Sequence, residues 1–319
     1  MAAKLKRLRG LRSVEYEHEL DRIALDSLEK IPILPELTRK LFEASFEKLS
    51  RIQYSGSYLQ VNRDNMPRVH GILAEACSVL DIKRIPDIFI QWDYSINAFT
   101  TGVDNPLIVI NSGCIDLLSD EELLFVLGHE LGHIKSGHVL YRSLATIFPA
   151  IVEQASQMTL GIGGIAGTGI QVALNNWYRM SEFTADRAGL LACQSPNISI
   201  RSLIRMAGLP AAYDPDEFRE SFLRQAREFE SLDFETASRT IKVFSTLTLT
   251  HPWTVLRASE FLKWTEKGGY AQVLDNDSRQ VEIPVLSSHN YCGNCGFELR
   301  LLDLYCGGCG ISVTKGESS

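Results

Sequence analysis

His129-Glu130-Leu131-Gly132-His133 puts two imidazoles and a carboxylate within five residues. On a helix, at about 100° per residue, positions four apart lie one turn apart on one face, so both imidazoles point at the same place. Two neutral histidines at that spacing suit a zinc ion, and Glu130, the next residue round, is placed to take a proton from a water held there. The expected chemistry is hydrolysis with Glu130 as general base. Two histidines leave a third protein ligand to find. His138 lies nine residues from His129, which sets it near the opposite face of a continuing helix; it is read as a surface residue or as one standing behind a ligand. Glu182 fits better. On a helix through Arg179-Met180-Ser181-Glu182-Phe183-Thr184-Ala185-Asp186, Glu182 and Asp186 share a face. One acid can then bind metal while the other accepts a hydrogen bond from a ligand histidine, fixing its tautomer.

The element carrying the histidines announces its start. Ser119-Asp120-Glu121-Glu122 is a capping box with acids at the positive end of the helix dipole, so a helix begins near Asp120 and runs through Ile134. Residues 14 to 83 read as helices, with a break at Met66-Pro67. Short apolar runs at Ile88–Ile90, Ala98–Thr100 and Leu107–Ile110, separated by turn formers, read as three strands of a small sheet. Gln154–Tyr178 holds no charge but is rich in Gly and interrupted by amides, which favours a closely packed or mobile helical hairpin over a bilayer span. Further helices are expected over Ile200–Ala207 and Pro215–Phe229. The pattern lapses into a connector from about 271.

Composition narrows the class. The 319 residues are 45% hydrophobic and 22% charged, with a net charge of −7, so the chain is globular and has no electrostatic reason to bind nucleic acid. The basic start, with Lys4, Lys6, Arg7, Arg9 and Arg12 around Leu5, Leu8 and Leu11, reads as a solvated, frayed terminus or as a short amphipathic helix making peripheral membrane contact. No secretory signal is visible and seven cysteines are present, which suggests a reducing, cytoplasmic setting. Cys77, Cys114 and Cys193 read as buried thiols. Cys292, Cys295, Cys306 and Cys309 form two Cys-x-x-Cys knuckles, and four thiolates so spaced suit a closed, structural zinc. With few bases nearby, this small module is expected to contact protein.

Taken together, His129–His133, Glu182–Asp186, the run Asn97-Ala98-Phe99-Thr100-Thr101-Gly102, and Thr250-His251-Pro252 with Arg257 resemble the gluzincin family of CAAX-prenyl endopeptidases and HtpX-type proteases. The resemblance covers roughly residues 70 to 260, and the cysteine module resembles a zinc ribbon. It implies a zinc-dependent endopeptidase acting on extended peptide or protein substrates. It also implies an edge strand at Asn97, Ala98 and Phe99 that pairs with the substrate backbone, oxyanion stabilisation by His251, and a supporting Arg257. From the residues alone, His251 is equally a buried structural histidine. The membrane members carry transmembrane helices around the catalytic segment that are not evident here, so a soluble branch is expected. The fold class expected is α+β, a mainly helical zincin-like domain with a small β-sheet plus a small zinc-ribbon module. Its divisions are 1–70, a helical region packing on the catalytic domain; 71–270, the catalytic domain; 271–289, a linker; and 290–313, the ribbon. Two zinc ions are expected, one catalytic and one structural. The competing reading is a non-catalytic metal-bound scaffold that acts through its ribbon.

Overall fold

The computed structural model describes residues 5–34, 36–38, 46–158, 162–231 and 253–276. His251, the four ribbon cysteines and the linker beyond residue 276 lie outside them. The architecture is mainly helical with one small sheet. Helices α1 (Glu19–Glu29), α2 (Phe46–Ser57) and α3 (Pro67–Val79) surround strand β1 (Leu59–Val61) in sequence, and β2 (Asp87–Gln91), β3 (Ala98–Thr101) and β4 (Leu107–Asn111) complete the sheet. Its order is β1-β2-β4-β3; β2 and β4 are parallel and the other pairs antiparallel. Three of these strands are the expected ones. β1 corrects the helical reading of residues 14–83: Leu59–Val61 pairs with Ile88–Ile90. Three residues are too few for alternation to register, and only the partner strand defines them.

Helix α4 (Ser112–Leu117) leads into α5 (Asp120–Lys135), the helix of the histidine pair. Its cap forms as the sequence predicts. Ser119 Oγ accepts from the Glu122 amide at 3.2 Å, and Glu122 Oε2 accepts from the Ser119 amide at 2.9 Å. Every residue from Glu122 to His133 is buried, so α5 is a core helix packed on all sides rather than an amphipathic surface one.

Helices α6 (Val139–Met158) and α7 (Ile162–Cys193) pack on each other. The hairpin expected over Gln154–Tyr178 is present, but its second arm does not stop before Arg179: α7 is a single helix of 32 residues. A Cβ on Gly167 would stand 2.5 Å from Val152 Cγ2, so this glycine lets the arms touch. Among the described residues no helix is long and apolar enough to cross a membrane. The contact that matters most is between α5 and α7. A Cβ on Gly128 would lie 2.3 Å from Ala192 Cβ, and one on Gly132 2.6 Å from Ala188 Cβ. Glycine against alanine at two successive turns brings the backbones together and sets the histidines within reach of acids on α7. We predict that Gly128→Ala destabilises the fold by about 1–3 kcal/mol from overpacking, outweighing the ~1 kcal/mol that alanine gains in helix propensity. Urea unfolding measures the sign, and an unchanged or raised midpoint would contradict this contact.

Helices α8 (Pro196–Met206), α9 (Pro215–Ser231), α10 (Thr254–Glu266) and α11 (Gly269–Leu274) finish the described chain. α11 corrects the connector reading for residues 271–274. The N-terminal expectation also changes. Residues 5–12 are neither helical nor frayed. Leu8 and Leu11 are 1% and 3% exposed in the main core. The Leu8 amide donates to the Val79 carbonyl at 2.9 Å, and Lys6 exchanges backbone hydrogen bonds with the Gln194 amide group. Leucines at a spacing of three suit a helix, yet burying them in the main core stabilises more than an isolated turn does. Cys77, Cys114 and Cys193 are buried free thiols; burial pushes the first two up to about 12.

Candidate metal centre

One turn apart on α5, His129 and His133 bring their Nε2 atoms to 3.2 Å. Glu182 enters from α7, its Oε2 3.4 Å from His129 Nε2 and its Oε1 3.4 Å from His133 Nε2. One ligand atom from each of the three residues lies within 4.8 Å of the others. His133 and Glu182 are fully buried and His129 is 4% exposed. Two imidazole nitrogens and one carboxylate oxygen, dry and convergent, are the donor set of a catalytic zinc site with three protein ligands. The residues present therefore fit the ion.

Each donor is held from behind. His129 Nδ1 lies 3.0 Å from Asp186 Oδ1, and Asp186 is gripped by Arg257, with Nε to Oδ2 at 2.8 Å and Nη2 to Oδ1 at 2.5 Å. Burial alone would raise the Asp186 carboxyl, but the Arg257 guanidinium overrides it and holds it below the usual carboxylate range. Glu182 accepts from Arg142 Nη1. Arg142 on α6 also donates to Tyr178 Oη at 2.6 Å and lies 3.9 Å over that ring. Burial lowers His129, but hydrogen bonds and charge from Asp186 and Glu182 outweigh it and push it up to about 9. Burial and the Arg142 charge hold His133 well below its ordinary value, in the neutral form a ligand needs.

Glu130 is 3% exposed. Its Oε2 accepts from Thr100 Oγ1 at 2.8 Å. Thr100 belongs to β3, an edge strand of the sheet that packs against α5. Asn97 precedes that strand, and Ala98 and Phe99 open it, so these three residues lie at a sheet edge. Arg257 lies behind Asp186. His251 and the cysteines Cys292, Cys295, Cys306 and Cys309, expected from sequence to form a ribbon, fall outside the described residues.

His138 stands behind a ligand, one of its two expected places, because the helix does not continue to carry it to the opposite face. α5 stops at Lys135, and Gly137, at φ 71°, turns the chain back. The His138 amide donates to the His133 carbonyl at 3.0 Å and the Gly137 amide to the Ile134 carbonyl at 3.2 Å. This is a Schellman ending, and Ser136-Gly137 was its available signal. The turn lays His138 against His133, with Nδ1 atoms 3.0 Å apart. Sequence reasoning missed Thr100, Arg142 and Tyr178. Tyr178 stands one helical turn before Glu182, a legible spacing; Thr100 and Arg142 carry no comparable mark.

Two histidines from one buried helix, an acid from a second and a buried carboxylate following the first histidine are the arrangement of a metallopeptidase in class. The chain belongs to peptidase family M48, whose family model matches residues 64–265. It is 30% identical over 278 residues to the plastoglobule-localized metallopeptidase 48 of Arabidopsis thaliana, covering 84% of this chain and 77% of that protein. It is 24% identical over 229 residues to protease HtpX homolog 2 of Methanosarcina mazei, covering 65% and 76%. With the protease HtpX homolog of Persephonella marina it shares 28% identity over 163 residues, covering 43% and 55%. No solved structure matches the chain significantly.

Proposed function

We propose that this chain is a zinc-dependent endopeptidase that cleaves extended segments of protein substrates. His129, His133 and Glu182 hold the ion, and Glu130 is the general base. The observation that carries the reading is the convergence of His129, His133 and Glu182, with Glu130, the neighbour of His129 in sequence, buried and held by a hydroxyl from the edge strand. When bound, zinc polarises the scissile carbonyl and lowers the pKa of a water. Glu130 takes the proton of the attacking water and delivers it to the leaving amine. Thr100 engages Oε2, so Oε1 is the oxygen assigned to the proton.

The edge of β3 at Asn97, Ala98 and Phe99 pairs with the substrate backbone, giving broad selectivity through main-chain hydrogen bonds. Because Thr100 lies on that strand, the register of the substrate and the aim of the base depend on one element. Arg257 keeps Asp186 ionised behind His129, and His251 stabilises the oxyanion. The cysteines Cys292, Cys295, Cys306 and Cys309 hold a second, structural zinc in a module that contacts protein. A non-catalytic scaffold has no use for a buried carboxylate next to a ligand histidine, which weighs against the adaptor reading.

The test is metal removal and return. Chelator-treated chain is expected to lose cleavage of an unfolded casein-type substrate, and stoichiometric Zn²⁺ to restore it. A zinc-loaded chain that leaves the substrate intact would overturn the proposal.

A further inference from the structure

The two ligand histidines are supported unequally. Behind His129 stands a carboxylate in direct contact. Behind His133 stands another imidazole, His138, and behind that a second carboxylate: His138 Nε2 lies 3.1 Å from Asp21 Oδ2. Asp21 belongs to α1, ahead of the stretch that the M48 family model matches. We infer that His138 and Asp21 are positioning residues: the buried run from His133 through His138 to Asp21 fixes the tautomer and ring orientation of His133 and so sets the affinity of the centre for its metal. The inference rests on the metallopeptidase reading above.

The proton positions follow from the geometry. A His133 that ligates through Nε2 carries its hydrogen on Nδ1 and donates it. The atom 3.0 Å away, His138 Nδ1, must then be bare and accept. The remaining hydrogen of His138 then sits on Nε2, the atom 3.1 Å from Asp21 Oδ2. Only one arrangement of protons satisfies all three groups.

The rest of the surroundings hold that chain still. His138 is 3% exposed, with its ring edge-on to Trp177 at 5.7 Å. Asp21 is 1% exposed and also accepts from Thr184 Oγ1 at 2.5 Å. Thr184 in turn accepts from the His18 amide at 3.0 Å, and it sits between Glu182 and Asp186 on α7. Asp21 Oδ1 has no hydrogen-bond partner among the described residues. Burying a carboxylate is costly, and this one is buried with half its acceptor capacity unmet. Its use is the orientation of His138. The N-terminal segment therefore reaches the metal centre without touching it.

The experiment titrates Zn²⁺ into the full chain against a competing chelator. The His129→Ala/His133→Ala double variant serves as the blank that defines binding elsewhere. Asp21→Asn and His138→Phe are expected to weaken the site roughly 10-fold to 100-fold, the range seen when such supporting groups are removed. His138→Asn, whose side-chain oxygen reproduces the acceptor for His133, should recover most of the loss, and adding Asp21→Asn to it should cost nothing more. Affinities within twofold of native in both single variants, or losses that simply add, would overturn the inference. Imidazole ¹⁵N spectra of the native zinc-loaded chain give an answer independent of how variants fold. They should place the proton of His133 on Nδ1 and that of His138 on Nε2; a His138 protonated on Nδ1, or on both nitrogens, would reject the chain of bonds. A native chain that binds no more zinc than the blank would instead sink the metallopeptidase reading itself.

Discussion

Glu130→Gln should abolish peptide cleavage while leaving the zinc content of the chain at its native level. The amide keeps the size of the carboxylate, and Thr100 Oγ1, 2.8 Å from Glu130 Oε2, can donate equally well to an amide oxygen. Fold and ligands are therefore preserved. The loss is the capacity to accept a proton from water as it attacks, a contribution of roughly 10²-fold to 10⁴-fold in rate. Turnover of an unfolded protein, measured beside metal content, separates the effects. Cleavage within tenfold of native by a zinc-replete variant would move the base to another residue.

Asp186→Ala should carry the largest effect on stability. Arg257 is 5% exposed, and Asp186 supplies both of its carboxylate bonds. Removing one partner of a buried pair leaves the other charge uncompensated and costs about 3–5 kcal/mol, a large part of the ~5–15 kcal/mol that holds a domain folded. The same change deprives His129 Nδ1 of its acceptor, so zinc affinity should fall by roughly 10-fold to 100-fold. Pairing it with Arg257→Leu distinguishes the two consequences. The double variant should regain most of the stability in urea unfolding under chelator, yet keep the weakened zinc binding. A single-variant loss under about 1 kcal/mol would mean that the pair behaves as an exposed one.

Both results depend on the close approach of α5 to α7. Gly128 and Gly132 on one helix meet Ala192 and Ala188 on the other, and nothing bulkier would let Glu182 reach the histidine pair. Small residues thus act at a distance from the chemistry, by setting the separation of the helices that carry it.

The amino-acid sequence by itself determined the parts of this site that depend on short-range backbone geometry. The four-residue spacing of His129 and His133, the same spacing of Glu182 and Asp186, and the Ser119–Glu122 cap are consequences of a 3.6-residue turn and of unsatisfied amides at a helix start. The strands β2, β3 and β4 were legible because each is a short apolar run between turn formers. Tertiary structure alone decided what stands between elements. Thr100 reaches Glu130 from a strand, Arg142 reaches Glu182 from the neighbouring helix, and Asp21 meets Thr184 across 163 residues of chain. β1 exists only because β2 lies beside it, and Leu8 and Leu11 leave their helical pattern because a core is there to bury them. Local periodicity records which face a residue occupies on its own element; which side chain from elsewhere meets that face is settled by packing.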